Sequence, residues 1–176
     1  MIRKSIKEQI KNYFFENPTA KLRVRQTERI LKLPLPSVIN YTKELTKESF
    51  LKKTEIAGIT LFSADRGSAN YLLEKRFFNI KQIYDSGLMD YLIKECNNPT
   101  IILFGSFSRG EDVEDSDIDI YIETSKEIKN LNQFEQKLNH HLQLFKHKNL
   151  NEIQNKELAN NIINGIKLNG FLEVFR

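Results

Sequence analysis

The chain has 176 residues, 40% hydrophobic and 28% charged, with seven Gly, four Pro and a single Cys. That length holds one roomy domain or two small ones, and that composition excludes a disordered or collagen-like polymer. Cys96 alone excludes an intramolecular disulfide and a cysteine-rich zinc site, and no run approaches the ~18 apolar residues of a membrane span. The N-terminal MIRKSIKEQIKNYFF is amphipathic without an apolar signal core, so a cytoplasmic location is expected.

The net charge of +4 conceals a split: residues 1–66 carry 14 Lys/Arg against 7 Asp/Glu, and the remainder carries 13 against 16. Such asymmetry points to a polyanion met by the front and cations held by the back, or to a chance scatter of solvated charge. Ile6, Ile10, Tyr13 and Phe14 predict a helix over 5–16 that stops at Asn17-Pro18. A second short helix is expected over 25–31, followed by a turn at Leu33-Pro34. Val38, Tyr41 and Leu45 then stripe a third helix over 36–48. LKKTEIAGITLFSA, residues 51–64, reads as two strands about an Ala57-Gly58 turn. Phe14, Phe15 and Phe50 are assigned to the core, not to nucleic-acid stacking.

Helix, helix, turn, helix and hairpin with an excess of positive charge resembles the winged helix-turn-helix family over about residues 3–64. The resemblance implies a third helix in the major groove and a wing on the DNA backbone. Carried over, Ser37, Asn40, Tyr41, Lys43, Glu44 and Lys47 lie on the recognition helix, and Lys52 and Lys53 lie at the wing base. Ser37, Asn40, Lys43, Lys47, Lys52 and Lys53 form the expected DNA-binding set. A winged-helix domain used for protein contacts is the alternative.

Leu73, Phe77, Ile80 and Tyr84, then Leu88, Tyr91 and Leu92, predict two consecutive helices between Asn70 and Glu95, broken at Ser86-Gly87. Arg66-Gly67-Ser68 is the expected hinge, which gives domains 1–66 and 67–176.

The chemistry is concentrated in TIILFGSFSRGEDVEDSDIDIYIE, residues 100–123. A buried-type strand over 101–104 runs into Gly105-Ser106, and a second strand begins around Asp117-Ile118-Asp119. Alternation along that strand puts Asp117 and Asp119 on one face and Ile118 and Ile120 in the core. Two neighbouring carboxylates repel unless a hard cation such as Mg²⁺, or Mn²⁺, lies between them and bridges to substrate phosphates. Gly105 permits close backbone approach to a ligand, and Ser106 offers a hydroxyl and an N–H near a helix start, where phosphate is favoured. Arg109 is either a positive fork for a triphosphate or the partner of Glu111 or Asp112 in a surface salt bridge.

Other readings of the stretch fail on specifics. Asp115, Asp117 and Asp119 imitate an EF-hand, but Ile120 stands where Gly is needed and Lys126 where Glu is needed. GSFSRG lacks the Gly-Lys-Ser/Thr of a P-loop and the G-x-S-x-G of a serine hydrolase, and no G-x-G-x-x-G occurs.

The spacing G-S-x10-D-x-D, with Arg109-Gly110 and Ser116-Asp117-x-Asp119, closely resembles the minimal nucleotidyltransferase family of the polymerase-beta-like superfamily, over about residues 70–176. With the front segment, the fold class implied is α+β: a winged helix-turn-helix followed by a nucleotidyltransferase fold with a small mixed sheet flanked by helices. The resemblance implies transfer of an NMP from an NTP to a hydroxyl, with Asp117 and Asp119 catalytic and metal-binding and Gly105, Ser106 and Arg109 binding the nucleotide. It further implies a protein acceptor such as a toxin partner, and dimerisation. An alternative is a catalytically degenerate, nucleotide-sensing DNA-binding regulator.

That alternative rests on a departure from the family pattern. The family's third carboxylate comes from a later strand, here HLQLF over 141–145, and its place holds Gln143, which is neither an anionic ligand nor a general base. His141 shares the face of Gln143 and either replaces the missing base or packs and hydrogen-bonds, as His140 and His147 are expected to do. Glu123 is four residues along the strand from Asp119, too far for one metal, and is expected to be solvated. Cys96 is expected to pack near a helix end. Residues 151–164 suggest a helical region and 165–170 a structural terminal piece, with Asn residues at surfaces and turns.

Overall fold

The structure, a computed structural model, describes residues 5–174; the first four residues of the amphipathic N-terminus lie outside the described residues. Three helices come first: α1 (Ile6–Glu16), α2 (Val24–Leu31) and α3 (Leu35–Lys47). The Ser5 hydroxyl accepts the Glu8 N–H while the Glu8 carboxylate accepts the Ser5 N–H, a reciprocal cap that starts α1. The helix ends where both the backbone N–H and the side-chain amide of Asn17 return to the Tyr13 carbonyl, just before Pro18, which has no N–H to continue it. Pro36 sits in the first turn of α3, where a missing N–H costs nothing.

Strands β1 (Leu51–Ile56) and β2 (Ile59–Ala64) form an antiparallel hairpin in register from Leu51↔Ala64 to Ile56↔Ile59. Ala57 and Gly58 both take positive φ, 49° and 74°, the two-residue turn whose twist matches that of its strands. Leu22 exchanges two backbone hydrogen bonds with Phe62 and so ties the α1–α2 link to the hairpin. Phe14, Phe15 and Phe50 are buried, with Phe15 edge-on to Phe50 at 5.1 Å, so these aromatics are core.

The chain divides into two compact units, residues 1–75 and 76–176. The division falls inside α4 (Ala69–Asp85), and Arg66-Gly67-Ser68 forms the turn that leads into that helix. The first turns of α4 belong to the first unit: the Tyr71 hydroxyl donates to the Phe14 carbonyl at 3.1 Å, and Lys75 Nζ to the Phe15 carbonyl at 2.5 Å.

In the second unit, α5 (Leu88–Glu95) precedes β3 (Ile101–Phe104), which runs directly into the short α6 (Gly105–Arg109). After a loop come β4 (Ile118–Glu123), α7 (Asn132–Leu138) and β5 (Leu142–His147). A 3₁₀ turn over Leu150–Glu152, α8 (Lys156–Ile163) and β6 (Ile166–Asn169) complete the unit. The sheet order is β5-β4-β3-β6, with β4 and β5 parallel and the other pairs antiparallel. This small mixed sheet flanked by helices is the α+β arrangement expected, and β6 occupies an edge beside β3.

Period-two alternation separates the two faces of the sheet. Ile118, Ile120 and Ile122 join Ile101, Leu103 and Leu142 in a core covered by Leu88, Met89, Leu92, Phe107 and Phe134. Ile102, Phe104 and Tyr121 face the other way, against Leu150 and Ile162. Cys96 is buried beside the first of these cores. The region expected to be helical over 151–164 is interrupted, because the Asn149 and Asn155 side chains accept backbone N–H groups and cap two separate elements.

One buried polar contact fixes the segment between β3 and β4. Asn79 of α4 donates through Nδ2 to the Phe107 carbonyl at 3.0 Å and to Asp112 Oδ1 at 2.6 Å, holding the end of α6 and the loop after it. Asn79→Ala deletes two buried hydrogen bonds, each worth about 0.5–1.5 kcal/mol net. Urea denaturation is expected to show that loss; a midpoint unchanged from wild type would mean that Asn79 does not hold the loop.

Candidate active site

Asp119 lies on β4 opposite Phe104 of β3 and Gln143 of β5. The next residue of β3's path is Gly105, with φ +71°, a left-handed conformation that side chains oppose. A Cβ built on Gly105 would stand 2.1 Å from Asp119 Oδ2. The Asp119 carboxylate therefore occupies the space that a side chain at 105 would fill, and the glycine is needed for both backbone angle and room.

Asp117 precedes β4 and its side chain is half exposed. Burial pushes the Asp119 carboxyl above the usual carboxylate range; the charge of Asp117 adds to the rise and that of Arg109 opposes it. The two aspartates are thus close enough for the charge of Asp117 to be felt at Asp119, as alternation along the strand implies. Arg109 itself is exposed and donates to Glu111 Oε2 at 2.6 Å, so its guanidinium takes the surface pairing while still acting on Asp119. Ser106 is half-buried on α6, and the Ser108 hydroxyl donates to the Gly105 carbonyl at 2.8 Å, bracing the turn.

The loop before Asp117 is pinned from two sides. Ser116 Oγ accepts the Val113 N–H at 2.9 Å, and the Ser116 carbonyl lies 2.8 Å from His140 Nδ1, which therefore carries the proton. His140 also packs edge-on to Phe107 at 4.7 Å, so it is a packing and hydrogen-bonding histidine. His147 lies over Tyr121.

The third position is Gln143, aligned with Asp119 across the parallel β4–β5 pair and exposed. His141, one register step earlier, brings Nδ1 to 3.6 Å from Asp117 Oδ1 and Nε2 to 3.6 Å from Glu135 Oε1. Glu135 on α7, to which sequence spacing gave no role, is held by the Leu142 N–H at 2.9 Å. Glu123 is half-buried, not freely solvated, and accepts the Tyr121 hydroxyl at 3.3 Å; burial, reinforced by the Glu123 charge, pushes that phenol up. Among the described residues no group of three or more His, Cys, Asp or Glu stands arranged around one point to hold a metal.

In the first unit, Asn40, Lys43 and Lys47 are exposed on α3 and Ser37 is half-buried, while Lys52 and Lys53 are exposed on β1. Glu44 is turned toward Lys7 at 2.6 Å; this contact, with that to Glu48, raises the lysine's pKa and lowers that of Glu44. Val38, Thr42 and Leu45 form the buried side of α3. Sequence reading did not include Arg23, the residue before α2, or Arg25 and Arg29 within it, which line a cleft with Thr60 and Phe62 of β2. Arginines spaced at i and i+4 on a short helix were the available signal.

Gly105→Ala forces a left-handed alanine, at roughly 1–2 kcal/mol, and drives the Asp119 carboxylate from its place. A lowered melting temperature is expected, and wild-type stability would contradict the packing described. The raised pKa of Asp119 gives a second test. A carboxyl more basic in the fold than its ordinary 3.8 stabilises the fold below that value, and the contribution is lost as pH rises through the raised pKa. Without divalent ions, the melting temperature of Asp119→Asn is expected to gain on wild type across that window and then run parallel to it. Curves parallel throughout would contradict the raised pKa of Asp119.

Among the described residues no helix is long and apolar enough to cross a membrane. No curated protein and no solved structure gives a significant match to the chain. Residues 87–169 match the family model described as polymerase beta, nucleotidyltransferase, a stretch just under half of the chain that contains the Gly105-Ser106 turn, both aspartates and Gln143. The match supports the polymerase-beta-like nucleotidyltransferase superfamily for this segment, and with it a general nucleoside monophosphate transfer activity.

Proposed function

We propose that the second unit transfers a nucleoside monophosphate from an NTP to a hydroxyl acceptor, with Mg²⁺ or Mn²⁺ held by Asp117 and Asp119. The observation that carries this reading is the Asp119 carboxylate lying over Gly105 beside a second aspartate, where burial and the neighbour both disfavour its charge. A divalent cation relieves that repulsion, so the donor chemistry fits the ion. When bound, such an ion offsets charge developing on the phosphoryl oxygens and on the attacking and leaving oxygens.

The chain's own residues do the rest. The backbone at Gly105 lets a triphosphate approach without a side chain in the way, and the Ser106 hydroxyl and N–H donate to phosphate oxygens. Arg109 exchanges Glu111 for phosphate, which the exposure of that pair permits. The Asn79 contacts hold the end of α6 and the start of the loop that leads to Asp117. A protein hydroxyl, such as one on a toxin partner, is the acceptor class proposed.

The first unit is proposed to be a winged helix-turn-helix that binds DNA, supported by its helix-helix-helix-hairpin order and the exposed Asn40, Lys43, Lys47, Lys52 and Lys53. A cytoplasmic homodimer is consistent with that role. Gln143 in register with Asp119 favours a second reading, in which the nucleotide site senses without turning over and the chain acts as a regulator.

Label from each α-³²P NTP, incubated with wild type and Mg²⁺ or Mn²⁺ in a lysate of the source cells, is expected on a discrete species and to vanish with Asp117→Asn/Asp119→Asn. Equal labelling by the double variant would refute the assigned site. No labelling by wild type, in an extract that keeps its NTPs intact, would favour the sensor. For the first unit, the full chain is expected to bind duplex DNA with an affinity that falls steeply with salt. Lys43→Ala/Lys47→Ala is expected to reduce the slope of log K against log salt by about 2, since each phosphate contact contributes about 0.9. An unchanged slope would remove α3 from the interface.

A further inference from the structure

We propose that the cleft between α2 and β2 grips the phosphodiester backbone of duplex DNA through Arg23, Arg25 and Arg29. This inference rests on the reading of the first unit as a DNA-binding module, and it places part of the contact surface off α3. Arg23 precedes α2, and Arg25 and Arg29 stand one turn apart on it, so those two share a face of the helix. Thr60 and Phe62, which alternate onto one face of β2, form the other wall of the cleft. The lining holds three arginines and no carboxylate.

The charge gathered there is not balanced from within the fold. Among the described residues none of the three guanidinium groups makes an ion pair, and all three arginines are exposed. Other cations of the unit are matched: Lys7 reaches Glu44 and Glu48 at 2.6 Å, and Lys11 reaches Glu74 at 2.7 Å. The hairpin adds to the excess. Lys53 pairs with Phe62 in register and so shares its face, whereas Lys52 pairs with Ser63 and lines the opposite face with Lys21. Glu28 of α2 stays out of the lining, and Glu55, opposite Thr60, is the acid on the cleft face of the hairpin, toward its turn.

The kind of anion follows from the donors and the walls. A guanidinium presents a rigid fork that matches two phosphate oxygens at once. Four residues of α-helix rise about 6 Å, and one DNA strand carries a charge about every 3.4 Å along its axis. Arg25 and Arg29, laid along a strand, therefore span about two phosphates of a repeating polyanion. A single strand or a free nucleotide needs an exposed ring on which to stack its base. Phe62, the aromatic side chain of the lining, is only 7% exposed and offers none. The Thr60 hydroxyl can donate to a phosphate oxygen, a contact that positions a duplex without reading its sequence.

The test measures binding of the full chain to two short DNA duplexes of unrelated sequence, by fluorescence anisotropy over a range of KCl. Arg25→Ala/Arg29→Ala, at two exposed helix positions where alanine is favourable, is expected to keep the wild-type melting temperature. It is expected to weaken both duplexes alike and to lower the slope of log K against log salt by about 2, at about 0.9 per phosphate contact. Arg25→Lys/Arg29→Lys is expected to restore the slope but only part of the affinity, because an ammonium keeps the charge and lacks the fork. ATP without divalent ions, added at constant ionic strength, is expected not to compete.

A slope unchanged by Arg25→Ala/Arg29→Ala but lowered by Lys43→Ala/Lys47→Ala overturns the cleft and leaves DNA binding by α3 standing. No binding of either duplex by wild type overturns both. A loss confined to one duplex overturns the backbone role. Tighter binding of an RNA duplex of the same sequence, or competition by ATP that the arginine substitutions abolish, overturns duplex DNA as the occupant.

Discussion

The packing of one carboxylate over one glycine organises the second unit. Antiparallel pairing of β3 and β4 sets Phe104 against Asp119, and the chain leaving β3 must turn at once, at a left-handed Gly105, to let the Asp119 oxygen lie above it. Everything nearby serves that turn. Ser108 braces its carbonyl, Asn79 holds the end of α6 and the following loop, and His140 pins Ser116 just before the second aspartate. A charged group is kept partly out of water beside a like charge, at a cost to the fold that the proposed cation would offset.

The sheet behind the site explains how such a cost is tolerated. Ile118 and Ile120 are completely buried on one face while Asp117 and Asp119 emerge on the other, so the strand cannot slip by one residue without burying its acids and exposing its core. The same register brings Gln143 alongside Asp119 and His141 alongside Asp117. The character of this face is therefore set by whichever residues β5 presents at two consecutive outward positions, and here they are an imidazole and an amide.

Much of this was legible from residue order, for identifiable reasons. Alternation of Asp and Ile placed the aspartates, Asn17-Pro18 and Ser86-Gly87 marked helix ends, and the Ala57-Gly58 hairpin fell at its expected turn. What local spacing could not show depends on distant pairing. α7 buries little more than Phe134, too sparse a stripe to be read as a helix, and so Glu135 and its hold on Leu142 went unseen. The contact of Asn79 with Asp112 joins residues 33 apart in the chain. In the first unit the helices and hairpin were readable, whereas the convergence of Arg23, Arg25 and Arg29 on β2 arises from the Leu22–Phe62 bridge, which no periodicity announces.

The most direct test of the central claim is a crystal structure of the chain with α,β-methylene ATP and Mn²⁺, with the ion located by its anomalous signal. The account predicts an anomalous peak within bonding distance of Asp117 and Asp119, with phosphate oxygens against the Gly105 backbone and Ser106. A nucleotide bound elsewhere, or a peak away from both aspartates, would contradict it.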